Sequence, residues 1–322
     1  MKTALMKRRR FRLTVGALLA LATPALADWP AAPIRVIVPF APGASTDIVL
    51  RRISPKLSEL LGQPVVVENR GGAGGMVAAE TVLRAPPDGY TLLVVTTSHS
   101  ALPALMSKLP YDTLKDFAPV ALVADMPGII VINPGLPVHT LAQFLDYAKT
   151  HEVYYGSAGP GTFPHLGMAL LAARADVRLI HVPYKGAAPA LLDVMAGQLQ
   201  VKLDAYVSSG AHIADGTLRP IAVTSESRIP ELPDIPTVAE SGFPGYQVSY
   251  WIGIVAPSKV PEPVRLKLEH AFIASLTQEN RAALQQSGVR PLDEDSKMLD
   301  ALIRRELVQW QTLVTQQHIT VN

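Results

Sequence analysis

The chain alternates between short apolar runs of strand length and stretches in which apolar residues recur every three or four positions. Residues 34–40 (IRVIVPF) predict a buried strand. Over 45–61, Val49, Ile53, Leu57, Leu60 and Leu61 fall at helical spacing, with Arg51, Arg52, Lys56 and Glu59 between them. Gly62, followed by Pro64, marks the stop of that helix. Residues 65–68 predict a second strand, 71–75 (GGAGG) a flexible loop, 76–84 a helix, 86–89 (PPDG) a turn and 91–96 a third strand. Strand, helix, strand, helix, strand in succession predicts a parallel sheet with right-handed crossovers.

The alternation then resumes. Strands are expected at 129–132, 153–156, 179–182, 201–203 and 218–223, with helices at 140–149, 162–173 and 187–196. The proline-rich 229–237 (IPELPDIPT) reads as an irregular connection, and 248–255 returns to strand. The C-terminal part is expected to be mostly helical. One helix opens at Pro261 and Pro263, and a long amphipathic one carries Leu299, Leu302, Ile303, Leu307, Trp310, Leu313 and Val314. This pattern predicts an α/β fold of two halves, each with its own sheet. The chain leaves the first half near 125 and returns near 250 on two crossing strands. The expected domains are therefore 28–125 plus 250–322, and 126–249. A single large doubly wound sheet is the alternative.

The first 27 residues follow a different grammar. Lys2, Lys7, Arg8, Arg9, Arg10 and Arg12 form a basic start, 13–22 is a short apolar run, and Ala25, Leu26 and Ala27 give a small-residue cleavage pattern. That reads as a secretory signal peptide at 1–27, with a twin-arginine signal and a retained anchor as alternatives. Its removal changes the charge. The segment holds six of the 29 basic residues and none of the 27 acidic ones, so the remainder has 23 against 27, net −4. The apparent basicity belongs to export and gives no support for nucleic-acid binding. Cysteine is absent, which excludes thiol catalysis and zinc–thiolate sites. A monomer is expected to bury a sufficient core without disulfides.

Two loops stand out chemically. In 38–48 (VPFAPGASTDI) a strand meets a helix through small residues, and Ser45, Thr46 and Asp47 each suit the N-cap. Such a helix start presents unpaired N–H groups and the positive end of the helix dipole, a carboxylate-binding arrangement. The plainer alternative is an ordinary capped turn. In the second half 155–162 (YGSAGPGT) has the same placement, with neither P-loop nor dinucleotide-binding spacing, and Pro160 has no N–H to donate. Facing each other, the two loops could hold one small anion. His165 is either a ligand contact or a packed or capping residue. Ser157 with His165 is conceivable as a nucleophile and base, but no orienting acid is identifiable. G-x-S-x-G, H-E-x-x-H and S-x-x-K arrangements are missing, which argues against a secreted enzyme acting on carboxylates.

The blocks PFAPGASTDIVLRR, GQPVVVENRGGAGG, PPDGYTLLV, LPYDTLKDFAPV, GSAGPGTFPHL, HVPYKGAAPALLDVMAGQLQ, IPTVAESG and WIGIVAPSKVP occur in that order. Together they resemble the extracytoplasmic solute receptors of tripartite tricarboxylate transporters, the Bordetella uptake gene (Bug) family. The resemblance implies a type II-like periplasmic binding protein, a Venus flytrap of two α/β domains closing on a ligand. It further implies a periplasmic location, a small organic acid as ligand, membrane symporter subunits as partners, no cofactor and no catalysis. Presentation of the ligand to a membrane sensor kinase is the alternative role. Carried over by motif, the ligand contacts are Phe40, Ala41, Gly43, Ala44, Ser45, Thr46 and Asp47 in the first loop. In the second they are Ser157, Ala158, Gly159, Gly161, Thr162 and His165. Ala44 replaces a glycine frequent in the family. Further candidates at strand ends are Thr97, Ser98 and His99, Tyr184 and Lys185, and Asp204 with Tyr206. For Lys185 the alternative is a solvated side chain, and for Asp204 a helix cap.

Overall fold

The computed structural model describes residues 29–317 apart from 107 and 185, so the expected signal peptide at 1–27 and Lys185 lie outside the described residues. Strands β1 (Ile34–Val38), β2 (Val65–Asn69) and β3 (Thr91–Val95) run parallel, with Ile34 opposite Val65 and Arg35 opposite Thr91. The crossovers are α1 (Ser45–Leu61) and α2 (Met76–Leu83). Helix α1 buries Val49, Leu50, Ile53, Leu57 and Leu61 against Ile34, Val36 and Val38, and Gly62 ends it with φ 70°. Each such side chain contributes roughly 1.5–3 kcal/mol by leaving water. The GGAGG segment is a short 3-10 turn (Ala73–Gly75) packed close to Leu102 and Pro39, so its glycines fit tight backbone approaches.

The element that organises the molecule is β4 (Phe117–Ile132), buried along most of its length. The expected strand at 129–132 is only its last part. Pro119 and Pro127 conceal the rest, because proline reads against a central strand. Pro119 is accommodated at a register shift. The first part of β4 runs antiparallel to β9 (Ser249–Pro257), from Phe117 opposite Pro257 to Pro127 opposite Ser249. The last five residues run antiparallel to β7 (Val201–Ala205), from Gly128 opposite Ala205 to Ile132 opposite Val201. Thus β4 passes between two sets of strands at Pro127–Gly128, and β9 accompanies it. In the second set β5 (Tyr154–Ser157) lies parallel to both β6 (Ile180–Pro183) and β7. The hydrogen-bonded order is β2-β1-β3-β9-β4-β7-β5-β6, with β8 (Arg219–Val223) and β10 (Arg290–Glu294) also against β4. The halves share one curled, continuously hydrogen-bonded path.

Further helices escape the apolar pattern. Helix α3 (Thr97–Leu105) begins with Thr97, Ser98, His99 and Ser100, all buried, so no polar face marks it. Its Ala101 and Leu105 pack in the core of the second half with Leu166 and Phe144. In the second half α4 (Leu141–Ala148), α5 (Phe163–Ala175) and α6 (Ala187–Met195) match expectation, whereas α7 (Tyr206–Ala214) does not appear in the apolar spacing. After β9 come α8 (Glu262–Ser275) and α9 (Gln278–Gln286), and β10 interrupts the expected helical C-terminus. The last helix, α10 (Ser296–Gln317), spans both cores: Leu299 and Ile303 pack with Trp251 and Val255, while Trp310 and Leu313 pack with Leu166 and Phe144. Among the described residues no helix is long and apolar enough to cross a membrane.

Gly128, where β4 changes partners, has no room for a side chain. A methyl group there would lie 2.4 Å from Thr224 Oγ1, 2.5 Å from Phe163 Cζ and 2.8 Å from Leu203 Cδ1. Gly128→Ala is therefore expected to destabilise the fold by about 1–3 kcal/mol through overpacking, read as a lowered urea midpoint. An unchanged midpoint would contradict this packing.

Candidate functional site

The first loop runs from the end of β1 to α1. The N-cap of α1 is Ala44, not one of the hydroxyl or carboxylate residues expected there, and it makes no side-chain cap. Among the described residues nothing accepts from the amides of Ser45, Thr46 or Asp47. The loop is braced one step upstream. Asp47 Oδ2 accepts from the Gly43 amide at 2.9 Å, and Asp47 Oδ1 accepts from Arg51 Nε at 2.9 Å and Asn69 Nδ2 at 3.0 Å. Asn69 Nδ2 also donates to the Phe40 carbonyl at 3.0 Å. Burial pushes the Asp47 pKa up, but the bonds from Arg51, Gly43 and Asn69 outweigh it and hold the carboxyl below its ordinary value. The Asp47 carboxylate thus faces its own loop. Gly43 has φ 81°, a conformation that glycine adopts without strain.

The second loop solves the same problem in the same way. Thr162 is the N-cap of α5, and its hydroxyl turns back to donate to the Gly159 carbonyl at 2.6 Å, leaving α5 without a side-chain cap. His165 occupies the third helical position, as Asp47 does in α1. Its Nδ1 accepts from the Gly161 amide at 3.0 Å, as Asp47 accepts from Gly43. Gly161, like Gly43, has positive φ, here 74°. The amides of Ala158, Phe163 and His165 find no acceptor among the described residues, and Pro164 has none to offer. Ser157 Oγ accepts from the Gly159 amide at 3.0 Å and shares a 2.6 Å hydrogen bond with His181 Nε2. His165 and His181 stack with centroids 4.1 Å apart, and Tyr155 stacks on His181 at 5.0 Å. Burial lowers the His165 pKa to about 3, with a contribution from His181, and lowers that of His181 to about 4. Both rings are neutral at pH 7. Ser157 therefore meets His181, whereas His165 is engaged by Gly161.

The two loops converge on Tyr250 of β9. The Phe40 ring lies 6.5 Å and the Phe163 ring 5.9 Å from the Tyr250 ring, centroid to centroid. The fully buried Thr46 hydroxyl sits beside the same tyrosine. Burial raises the Tyr250 pKa, with the Thr46 hydroxyl acting in the opposite direction. Helix α3 adds a second link. Ser98 Oγ donates to the Gly161 carbonyl at 3.4 Å, and Thr97 Oγ1 donates to the Ser249 carbonyl at 3.0 Å. His99 points elsewhere, stacked on Tyr111 at 5.8 Å and edge-on to Phe117 at 5.2 Å, and burial lowers its pKa to about 4.

The remaining candidates are already engaged. Tyr184 OH donates to Asp193 Oδ2 at 2.5 Å, which is the largest cause raising its pKa to about 12. Asp204 forms a buried ion pair with Lys202 and accepts from Ser208 Oγ at 2.9 Å. Tyr206 opens α7. Sequence reasoning missed Tyr250, Phe163, His181 and Asn69. No local pattern marks them: His181, for one, meets Tyr155 only through the register of β5 and β6. Among the described residues no cluster of three His, Cys, Asp or Glu side chains is placed to hold a metal ion.

This geometry can be set beside known proteins. The sequence profile of one family, described as "Tripartite tricarboxylate transporter family receptor", matches residues 49–319. Protein BugT of Bordetella pertussis is 33% identical over 318 residues, covering 96% of this chain and 98% of BugT. A solved R. palustris protein with adipate is 32% identical with a TM-score of 0.81, over 91% of this chain and 99% of that one. MatC from Rhodopseudomonas palustris, with bound malate, is 35% identical with a TM-score of 0.79, over 89% of this chain and 100% of that one. Matched over most of its length by both the profile and these relatives, the chain belongs to the tripartite tricarboxylate transporter receptor family.

Proposed function

We propose that this receptor captures a small organic carboxylate in the periplasm, between lobes 28–125 plus 250–322 and 126–249, and hands it to membrane subunits of a tripartite transporter without covalent chemistry. One observation carries the reading: two helix starts with unpaired amides converge on Tyr250 from opposite halves. Each supplies N–H donors and the positive end of a dipole, which favours an anion. The contacts proposed are the amides and small side chains of 43–47 and 157–163, with Thr97 and Ser98 at the side. Asp47 and His165 act behind them as braces. Adipate and malate in the two solved relatives fit this donor chemistry. Ligand contacts to both halves would shift the population toward the closed form.

The direct test is a thermal-shift series on the chain lacking residues 1–27, with adipate, malate and other mono- to tricarboxylates beside their neutral amides. A carboxylate is expected to raise the melting temperature with concentration. Equal shifts with the amides, or none with any acid, would reject the reading. Ser45, half-exposed at the first position of α1, is the place to block the site. Ser45→Phe is expected to weaken the best ligand by about a hundredfold, about 2.7 kcal/mol, with little change in the urea midpoint.

The histidine stack gives a pH dependence of known sign. Both groups have folded-state values below the ordinary 6.5. Their stabilising contribution is complete above about 6.5 and is lost as pH falls through about 4 for His181 and about 3 for His165, because the unfolded chain then binds more protons. NMR titration should find both imidazoles unprotonated until well below pH 6, and ordinary titration near 6.5 would contradict the stack.

A further inference from the structure

A carboxyl lies buried at the middle of α10, between the two cores that this helix joins. Glu306 is 5% exposed. Its Oε1 accepts from Trp251 Nε1 at 2.9 Å, and its Oε2 accepts from Trp310 Nε1 at 3.3 Å. Ser100 Oγ of α3 bonds the same Oε2 and also lies 2.9 Å from the Thr97 carbonyl. These are four contacts, and the hydrogens can be counted. The serine hydroxyl and the two indoles bring one each, three in all. Where the serine hydrogen goes to the Thr97 carbonyl, the contact between Ser100 and Glu306 needs a hydrogen on Glu306. A neutral acid supplies it by donating to Ser100 Oγ, which then donates to the Thr97 carbonyl.

The surroundings favour the same state. Burial raises the Glu306 pKa to about 7, against the opposing pull of the Ser100, Trp251 and Trp310 hydrogen bonds and of Arg305. The other ionisable groups on the packed elements bond to other partners, save one oxygen of Asp125, which is buried without one. On α3, His99 stacks on Tyr111. On β4, Asp125 stands opposite Trp251 and is paired with Arg290 of β10. On α5, His165 holds Gly161 and Arg174 reaches the Pro244 carbonyl.

We propose that Glu306 is a protonated positioning residue: as a neutral acid it fixes the first turn of α3, and with it Thr97 and Ser98, between the lobes, and loss of its proton loosens that junction. The chain of contacts is short. Glu306 holds Ser100 and Trp251; Thr97 bonds Ser249, two residues from Trp251; Ser98 bonds Gly161 in the second loop. A carboxylate at this position would take the only hydrogen of Ser100, strip the Thr97 carbonyl of that bond, and leave a charge between two apolar cores. The proton site stands on these contacts alone. Its effect on ligand capture rests on the receptor reading above.

The sign follows from linkage. The folded chain keeps a proton that the unfolded chain loses above 4.5, so this group makes stability fall as pH rises from there through about 7. The test needs no ligand. The sequence holds three tryptophans, and two of them donate to Glu306. Their fluorescence in the ligand-free chain lacking residues 1–27 should titrate with a midpoint between about pH 6 and 8. Glu306→Gln, whose amide can donate to Ser100 and accept from Trp251, should abolish that transition. Amide exchange over 97–105, corrected for intrinsic rate, should speed up several-fold above the midpoint in the wild type and stay slow in the variant. No wild-type transition, the same transition in the variant, or pH-independent protection of 97–105 would each overturn the proposal. Should the variant fail to fold, the wild type still decides: the infrared band of a buried carboxylic acid must vanish over the same range. A failed carboxylate screen would leave these ligand-free readouts untouched, so the two readings can fail separately.

Discussion

A backbone amide already satisfied by its own chain has nothing to offer a ligand. On the proposed reading the protein holds two helix starts rigid while leaving their first N–H groups unpaired. An ordinary N-cap would defeat this, because its side-chain oxygen would occupy one of those amides. Here the N-cap is alanine in one loop, and in the other it is a threonine whose hydroxyl points back into the turn. Rigidity comes from the third helical residue, Asp47 or His165, which accepts from a left-handed glycine just upstream of the cap. The two halves use different chemistry, an ionised carboxylate and a neutral imidazole, for the same geometric task.

The electrostatic consequence is that little of the positive potential at the site comes from mobile cations. Arg51 is tied to Asp47 and Asn69, and the two histidines of the second loop are uncharged. What remains is the fixed field of two helix dipoles, which on the proposed reading would need no reorganisation to receive an anion. Phe40, Tyr250 and Phe163 form an aromatic group between the two loops.

Much of the frame was legible in the sequence because local chemistry and tertiary role agree. The spacing of Val49, Ile53 and Leu57 and the stop at Gly62 gave α1 its limits, and the glycine-rich turns marked both loops. The N-cap was misread by one residue, since Ser45 is the better capping residue by composition and only the structure reveals that capping is avoided. Strand β4 was concealed by Pro119 and Pro127, which a central strand tolerates only at a register shift and at the crossing itself. The start of α3 was concealed because it buries Thr97, Ser98, His99 and Ser100, polar residues satisfied by tertiary partners that no local pattern announces. For the same reason Tyr250 and His181 drew no notice, although both loops lean on them.

The course of α10 constrains what the two halves can do to one another. Two adjacent strands alone would let one half swing like a door. A rod of 22 residues, about 33 Å long at 1.5 Å per residue, ties the two cores a third time, packed on β4 and bonded to Trp251 of β9 through Glu306. Any movement of one half against the other would then slide Trp310 and Leu313 against their neighbours, or flex the rod at its waist. Its mechanical signature would be a short-stroke shear with friction in the side-chain packing, in place of the free rotation of a loosely tethered pair.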